Sequence, residues 1–180
     1  MQYVIVYLIR GKAREYQKKL IKKVADISGE RYVAYENPIP QHVTLKSPFK
    51  IRSIRRVERT LRKFTKDKKP YPIRINGFGN FRRGLVVFLN TKFSFRGRRI
   101  QKKLIKLLKQ EANLKLHEFD KKWKPHATIA YGNTNETFYE IWSYLKKIEK
   151  PKFDMEFDNI TILKKPRKGR WRIYKVFEIG

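Results

Sequence analysis

The apolar and polar positions of this 180-residue chain fall into short blocks that read as alternating strands and helices. Tyr3 to Ile9 is almost wholly apolar and rich in Val and Ile, the pattern of a buried strand. From Gly11 to Ile27, Tyr16, Leu20, Ile21 and Val24 recur at helical spacing, and Ser28-Gly29 stops the run. A loop holding Pro38 and Pro40 leads to a short strand, His42-Val43-Thr44-Leu45. Ser53 to Phe64 predicts a second helix with Ile54, Val57, Leu61 and Phe64 on one face, and Tyr71 to Phe78 alternates as a strand does.

The series then restarts. Leu85 to Leu89 is a buried strand, and Arg99 to Ala112 is a helix built on Ile100, Leu104, Leu107 and Leu108. A loop ending in Trp123-Lys124-Pro125 precedes His126-Ala127-Thr128-Ile129, again a short strand. Thr137 to Ile148 is a helix on Phe138, Ile141, Trp142 and Leu145, and Phe153 to Leu163 is strand-like. Trp171 to Ile179 is a last strand without a counterpart in the first half. Val4 to His42 spans 38 residues and Val86 to His126 spans 40, while His42 to Ser53 and His126 to Thr137 both span 11. A duplicated supersecondary unit predicts two similar lobes, each a sheet backed by helices. The expectation is one bilobal domain over 1–180, with half-repeats of approximately 1–80 and 81–180. A cleft between lobes is a favoured ligand site.

Composition narrows the partners. Lys and Arg number 45 against 16 Asp and Glu, a net charge of +29. The bases thicken at Arg52–Lys66, at Arg96–Lys109 and at Lys164–Arg172, which favours a phosphate-backbone surface. With 41% hydrophobic residues the chain can still build a core. The absence of cysteine excludes disulfides and thiol nucleophiles. Tyr3–Ile9 is too short for a membrane span and lacks signal-peptide features, so a cytoplasmic monomer without membrane contact is expected.

The chemistry is expected at the two His-x-Thr strands. Residues i and i+2 of a strand share a face, so His42 projects with Thr44, and His126 with Thr128. Two facing imidazoles supply a general base and a general acid near neutral pH. Threonine hydroxyls can donate to phosphate oxygens where charge gathers. Strand parity adds Lys46 to the His42 face as a phosphate ligand. Tyr131 and Phe49, which flank the motifs, are the preferred candidates for stacking on a base; Tyr35, Phe81 and Trp123 are the others. Gly79-Asn80-Phe81-Arg82-Arg83-Gly84 has P-loop spacing but is followed by Leu85-Val86, so it is not a Walker site. His-x-Thr offers one ligand per strand and no carboxylate, which argues against a metal, and His117 reads as structural.

Pro40-Gln41-His42-Val43-Thr44-Leu45 and Lys124-Pro125-His126-Ala127-Thr128-Ile129-Ala130-Tyr131-Gly132 resemble the two signature motifs of the 2H phosphoesterases. The chain is most similar to their 2′-5′ RNA ligase and cyclic phosphodiesterase branch. The resemblance implies a bilobal α+β fold with pseudo-twofold symmetry and both motifs in a central cleft. It implies opening of 2′,3′-cyclic phosphates to 2′-phosphates without metal or other cofactor, with a weak joining of RNA ends. RNA carrying a 2′,3′-cyclic phosphate, tRNA fragments included, is the implied partner. By analogy His42 is the acid and His126 the base, although symmetry allows the reverse. Ligase-type members often carry an arginine after the second motif; this chain has Tyr131. Two rival readings are a non-catalytic RNA-binding protein on the same fold and a phosphodiesterase for small cyclic nucleotides.

Overall fold

In the computed structural model, which describes residues 1–180, the chain runs β1 (Gln2–Leu8), α1 (Gly11–Ser28), β2 (His42–Lys50), α2 (Arg55–Thr65) and β3 (Tyr71–Phe81). It continues with β4 (Val86–Phe93), α3 (Phe95–Ala112), the one-turn α4 (Glu118–Lys121), β5 (His126–Tyr131) and α5 (Asn135–Lys147). The last elements are β6 (Lys152–Phe157), β7 (Asn159–Lys165) and β8 (Arg172–Glu178). A single π turn, Tyr32–Glu36, interrupts the loop before β2. Helix α1 ends at Gly29, whose φ of +70° lets its N–H close back on the Ala25 carbonyl.

Eight strands form two four-stranded antiparallel sheets, ordered β2-β1-β7-β8 and β5-β4-β3-β6. The histidine strands β2 and β5 are the edge strands of their sheets and lie beside each other. The expected α+β class with two similar sheets is what the chain adopts. The halves 1–80 and 81–180 do not coincide with the sheets, however. β3, at the end of the first half, belongs to the second sheet; β7 and β8, at the end of the second half, belong to the first. The cause is local. Only Arg82–Leu85 separates β3 from β4, and so short a turn commits the two to a hairpin. The run Phe153–Leu163 likewise breaks at Asp158, where the chain leaves the second sheet for the first.

The core sits under one face of each sheet. Ile5, Tyr7, Ile9, Val43 and Leu45 of the first sheet and Val87, Leu89, Ala127 and Ile129 of the second join one cluster of 34 buried residues with the helices. The other face of the first sheet carries a small separate cluster, Val4, Val6, Leu8 and Leu163. No helix is long and apolar enough to cross a membrane.

Candidate active site

Strand pairing brings the predicted residues to one place. His42 stands opposite Leu8 and Thr44 opposite Val6 on β1; His126 stands opposite Asn90 and Thr128 opposite Phe88 on β4. Directly paired residues share a sheet face. All four motif residues line a single cavity of about 530 Å³, together with Gln17, Ile21, Tyr32, Tyr131 and Trp171.

Each imidazole is fixed by its own strand. His42 Nδ1 lies 2.7 Å from the Pro40 carbonyl, and His126 Nδ1 lies 2.7 Å from the Lys124 carbonyl. A carbonyl only accepts, so Nδ1 carries the proton in both rings and Nε2 keeps its lone pair for the cavity. His42 is half-exposed by surface area, yet protein atoms crowd the ring and loss of solvent dominates its titration. That desolvation pushes it down to about 4; the Pro40 carbonyl opposes the shift and the charge of His126 adds to it. His126 is lowered as well by burial, against the opposing pull of the Lys124 carbonyl. The free site therefore holds two neutral imidazoles at neutral pH. A bound anion would raise both and draw a proton onto one of them.

The walls of the two histidines differ. His42 stands over the aliphatic Val4, Val6, Leu8 and Leu163 cluster. His126 packs against a pair of touching rings, 4.9 Å from Phe81 and 5.1 Å from Phe88, whose own centroids are 4.5 Å apart. Gly79 is required beneath them, because a Cβ there would stand 2.4 Å from the Phe88 ring.

Tyr131 lines the cavity, 42% exposed and edge-on to Tyr32 at 6.2 Å. Lys46 does not. Its side chain is 1% exposed and its Nζ lies 2.8 Å from Asp120 Oδ2. Strand parity fails because β2 bulges: Val6 pairs with Thr44 but Ile5 pairs with Lys46, leaving Leu45 as an extra residue. β5 bulges at the same place, with Phe88 on Thr128 and Val87 on Ala130. Past the bulges the cavity is lined by Pro48 on β2 and by Tyr131 on β5, and β2 shifts register a second time between Lys46 and Phe49. Phe49 is also displaced from the site and packs on Tyr3 with ring centroids 6.0 Å apart. Of the remaining aromatic candidates, Phe81 packs on His126, Trp123 is edge-on to Phe93, and Tyr35 bonds Asp26. His117 caps α4.

Two residues that sequence reasoning missed, Gln17 and Gln101, and Trp123, expected only as a base-stacking candidate, hold the motif strands. As edge strands, β2 and β5 present unpaired carbonyls. Gln17 Nε2 of α1 donates to the Thr128 carbonyl at 2.9 Å, Gln101 Nε2 of α3 donates to the Leu45 carbonyl at 3.1 Å, and Trp123 Nε1 donates to the Thr44 carbonyl at 2.7 Å. Both glutamines are 2% exposed. A signal existed: Gln17-Lys18-Lys19-Leu20-Ile21-Lys22 recurs unchanged as Gln101-Lys102-Lys103-Leu104-Ile105-Lys106, and 42 − 17 and 126 − 101 both equal 25. Asp120 closes the set on β2. Burial alone would raise its carboxyl, but hydrogen bonds from Lys46, Ser47 and His117 outweigh that and hold it below its usual value. Nowhere do three His, Cys, Asp or Glu side chains converge as metal ligands.

Comparison with known proteins agrees with this geometry. The "Putative phosphoesterase" of Geobacillus kaustophilus is 24% identical over 168 residues, covering 92% of this chain and 93% of its own. That of Oceanobacillus iheyensis is 27% identical over 175 residues, covering 92% and 95%. Among solved structures, TT0787 of Thermus thermophilus superposes with a TM-score of 0.70 at 16% identity, covering 99% of this chain and 98% of that one. Escherichia coli LigT in apo form does so with a TM-score of 0.62 at 12% identity, covering 99% and 96%; these two likenesses speak to the fold. The sequence profile described as "2′-5′ RNA ligase superfamily" matches residues 16–169, and with both His-x-Thr strands in one cavity the chain belongs to that superfamily of phosphoesterases.

Proposed function

We propose that the protein opens 2′,3′-cyclic phosphates at RNA ends to 2′-phosphates, by acid–base catalysis between His42 and His126. The observation that carries the reading is the matched pair of Nδ1–carbonyl bonds, which leaves two Nε2 atoms for one cavity. Water attacks phosphorus in line with the P–O3′ bond. His126 Nε2 takes the water proton, the P–O3′ bond breaks, and protonated His42 Nε2–H gives its proton to O3′. The P–O2′ bond survives, so the product is a 2′-phosphate with a free 3′-hydroxyl. Thr44 and Thr128 donate to the non-bridging oxygens, where charge accumulates. A 5′-hydroxyl in place of water gives a 2′-5′ linkage by the same proton movements. The pseudo-symmetry of the two strands allows the acid and base to exchange roles.

Two further facts support the substrate class. The chain carries +29 net charge, which suits a polyanion. Escherichia coli LigT has been crystallised with 3′-AMP and with phosphate. The test is an RNA oligonucleotide ending in a 2′,3′-cyclic phosphate, incubated in EDTA. The expected product is the 2′-phosphate, and His42→Ala or His126→Ala should each lose about 10²–10⁴-fold in rate. A 3′-phosphate product, or an undiminished rate in the double variant, overturns the reading.

A further inference from the structure

Helix α1 has a cavity on each flank. Gln17 and Ile21 face the histidine cavity. Tyr16, Lys19, Leu20 and Lys23 line a larger groove of about 870 Å³, walled on its far side by Tyr144 of α5 and by the Lys150–Phe153 segment that enters β6. The groove contains neither histidine. Four lysines line it, Lys19, Lys23, Lys150 and Lys152, against one carboxylate, Glu149. The lysines are exposed, and Tyr16, Tyr144 and Phe153 are half-buried. The Tyr16 and Phe153 rings stand 5.4 Å apart. At about 100° per residue, the outer ridge of α1 between groove and cavity carries Lys18 and Lys22, both exposed. Lysines therefore cover the outer face of α1 that separates the histidine cavity from the groove, a span of one helix diameter, about 10 Å.

The second half of the molecule provides the contrast. Lys102, Lys103 and Lys106 occupy the same hexapeptide on α3. There the partner helix α2 closes against α3, with Thr60 Oγ1 3.4 Å from Glu111 Oε2 and Lys63 Nζ 4.0 Å from Glu111 Oε1. On α1 the corresponding flank is open and has aromatic walls. Lysines recognise phosphates and half-buried ring faces accept bases, the combination that binds single-stranded nucleic acid. An acidic peptide would leave the rings unused. A mononucleotide would leave the lysine ridge unused.

We propose that the groove between α1 and α5 binds the RNA strand leading away from the reacting end, with the bases against Tyr16, Tyr144 and Phe153 and the phosphates on Lys19, Lys23, Lys150 and Lys152. As a statement about substrate it rests on the cleft reading above, but binding can be read without catalysis. The variant is Lys19→Glu/Lys23→Glu/Lys150→Glu, and the control is Lys102→Glu/Lys103→Glu/Lys106→Glu, the same charge change on the repeated hexapeptide.

Two measurements are made on the full chain. First, binding of a ten-nucleotide RNA ending in a 3′-hydroxyl is titrated against salt. The groove variant should bind about tenfold or more weaker, with the salt slope reduced by about 2 for three lost phosphate contacts, and the control should lose less on both counts. Second, KM and kcat are measured on a ten-nucleotide cyclic-phosphate RNA and on adenosine 2′,3′-cyclic phosphate. The groove variant should raise KM for the RNA alone. Equal losses in the two triple variants, unchanged RNA binding, or displacement of the RNA by oligo-glutamate as readily as by a second RNA overturns the groove. Groove-dependent RNA binding by a protein that hydrolyses neither substrate keeps the groove and overturns the cleft reading.

Discussion

The two histidine strands share a motif, a bulge and a carbonyl bond to Nδ1, yet they are supported by different physics. β2 is held from outside by a charged, fully buried network: Lys46 and Asp120 are each 1% exposed and 2.8 Å apart, Asp120 also receives the Ser47 N–H at 2.7 Å, and Trp123 and Gln101 take the strand's free carbonyls. β5 has Ala130 where β2 has Lys46, and a single glutamine on its free edge. Its histidine is positioned by packing instead, against Phe81 and Phe88. One strand is fixed through its backbone, the other through its side chain. The two halves thus share the histidines, the threonines and a buried glutamine bond to each motif strand, and differ in what else supports those strands.

The largest expected effect breaks the charged side of that comparison. Asp120→Ala leaves Lys46 buried without a counter-charge, which costs about 3–5 kcal/mol, and frees the edge of β2. Replacing both partners, Lys46→Met with Asp120→Leu, should recover most of that stability, because the pair itself gains little over apolar packing. Urea denaturation checks both. If the single variant is as stable as the parent, the network does not hold β2.

The aromatic side is broken next by Gly79→Ala. The added Cβ meets the Phe88 ring at 2.4 Å, so the ring must move and His126 loses a wall. Overpacking of this kind costs about 1–3 kcal/mol. The expected result is a lower kcat on a cyclic phosphate with KM nearly unchanged, and no change in the His42 environment. A kcat equal to the parent's would show that Phe88 does not position His126.

The unequal legibility of the two strands has the same origin. His42, Thr44, His126 and Thr128 were readable because period-2 alternation holds up to the threonines and because their spacing repeats. Lys46 was misread one step later, since a bulge has no signature in a single sequence and reverses the face of everything beyond it. Ser94 and Thr134 cap α3 and α5 through the Gly97 and Thr137 N–H groups; counting only apolar positions began those helices at Arg99 and Thr137, several and two residues late. The exchange of β3 and β7–β8 between sheets was hidden because each strand's pattern tells that one face is buried, not which sheet supplies its neighbours. Gln17 and Gln101 were visible in principle as a repeated hexapeptide, but polar residues on an apolar helix face do not announce a partner on a distant strand.

Acid titration sharpens the comparison with a smaller effect. Burial lowers both imidazoles, His42 to about 4, while an unfolded histidine titrates near 6.5. The folded chain then binds fewer protons than the unfolded chain between those values. Stability should therefore fall as pH drops from about 6.5 toward 4. His42→Gln should flatten that fall more than His126→Gln, and inorganic phosphate should offset it in the parent by favouring the charged rings. Thermal melts at pH 7, 6, 5 and 4 read the difference. Identical pH profiles for parent and His42→Gln would place the His42 ring in a solvent-like environment.

The smallest effect concerns the residues just past the bulges. Phe49 packs on Tyr3, and Tyr3 stands edge-on to Tyr174 at 6.1 Å, so this trio lies on β1, β2 and β8 and not along the cavity wall. Tyr131, at the corresponding end of β5, lies on that wall and is 42% exposed. Phe49→Leu should thus leave KM and kcat on adenosine 2′,3′-cyclic phosphate unchanged, whereas Tyr131→Leu should raise KM, because stacking on a base is worth about 1–3 kcal/mol where it occurs. Steady-state kinetics on the mononucleotide separates them. An increase in KM for Phe49→Leu equal to that for Tyr131→Leu would mean that the base lies along β2 after all, and that the two register shifts of β2, one on each side of Lys46, do not decide which side chains meet the substrate.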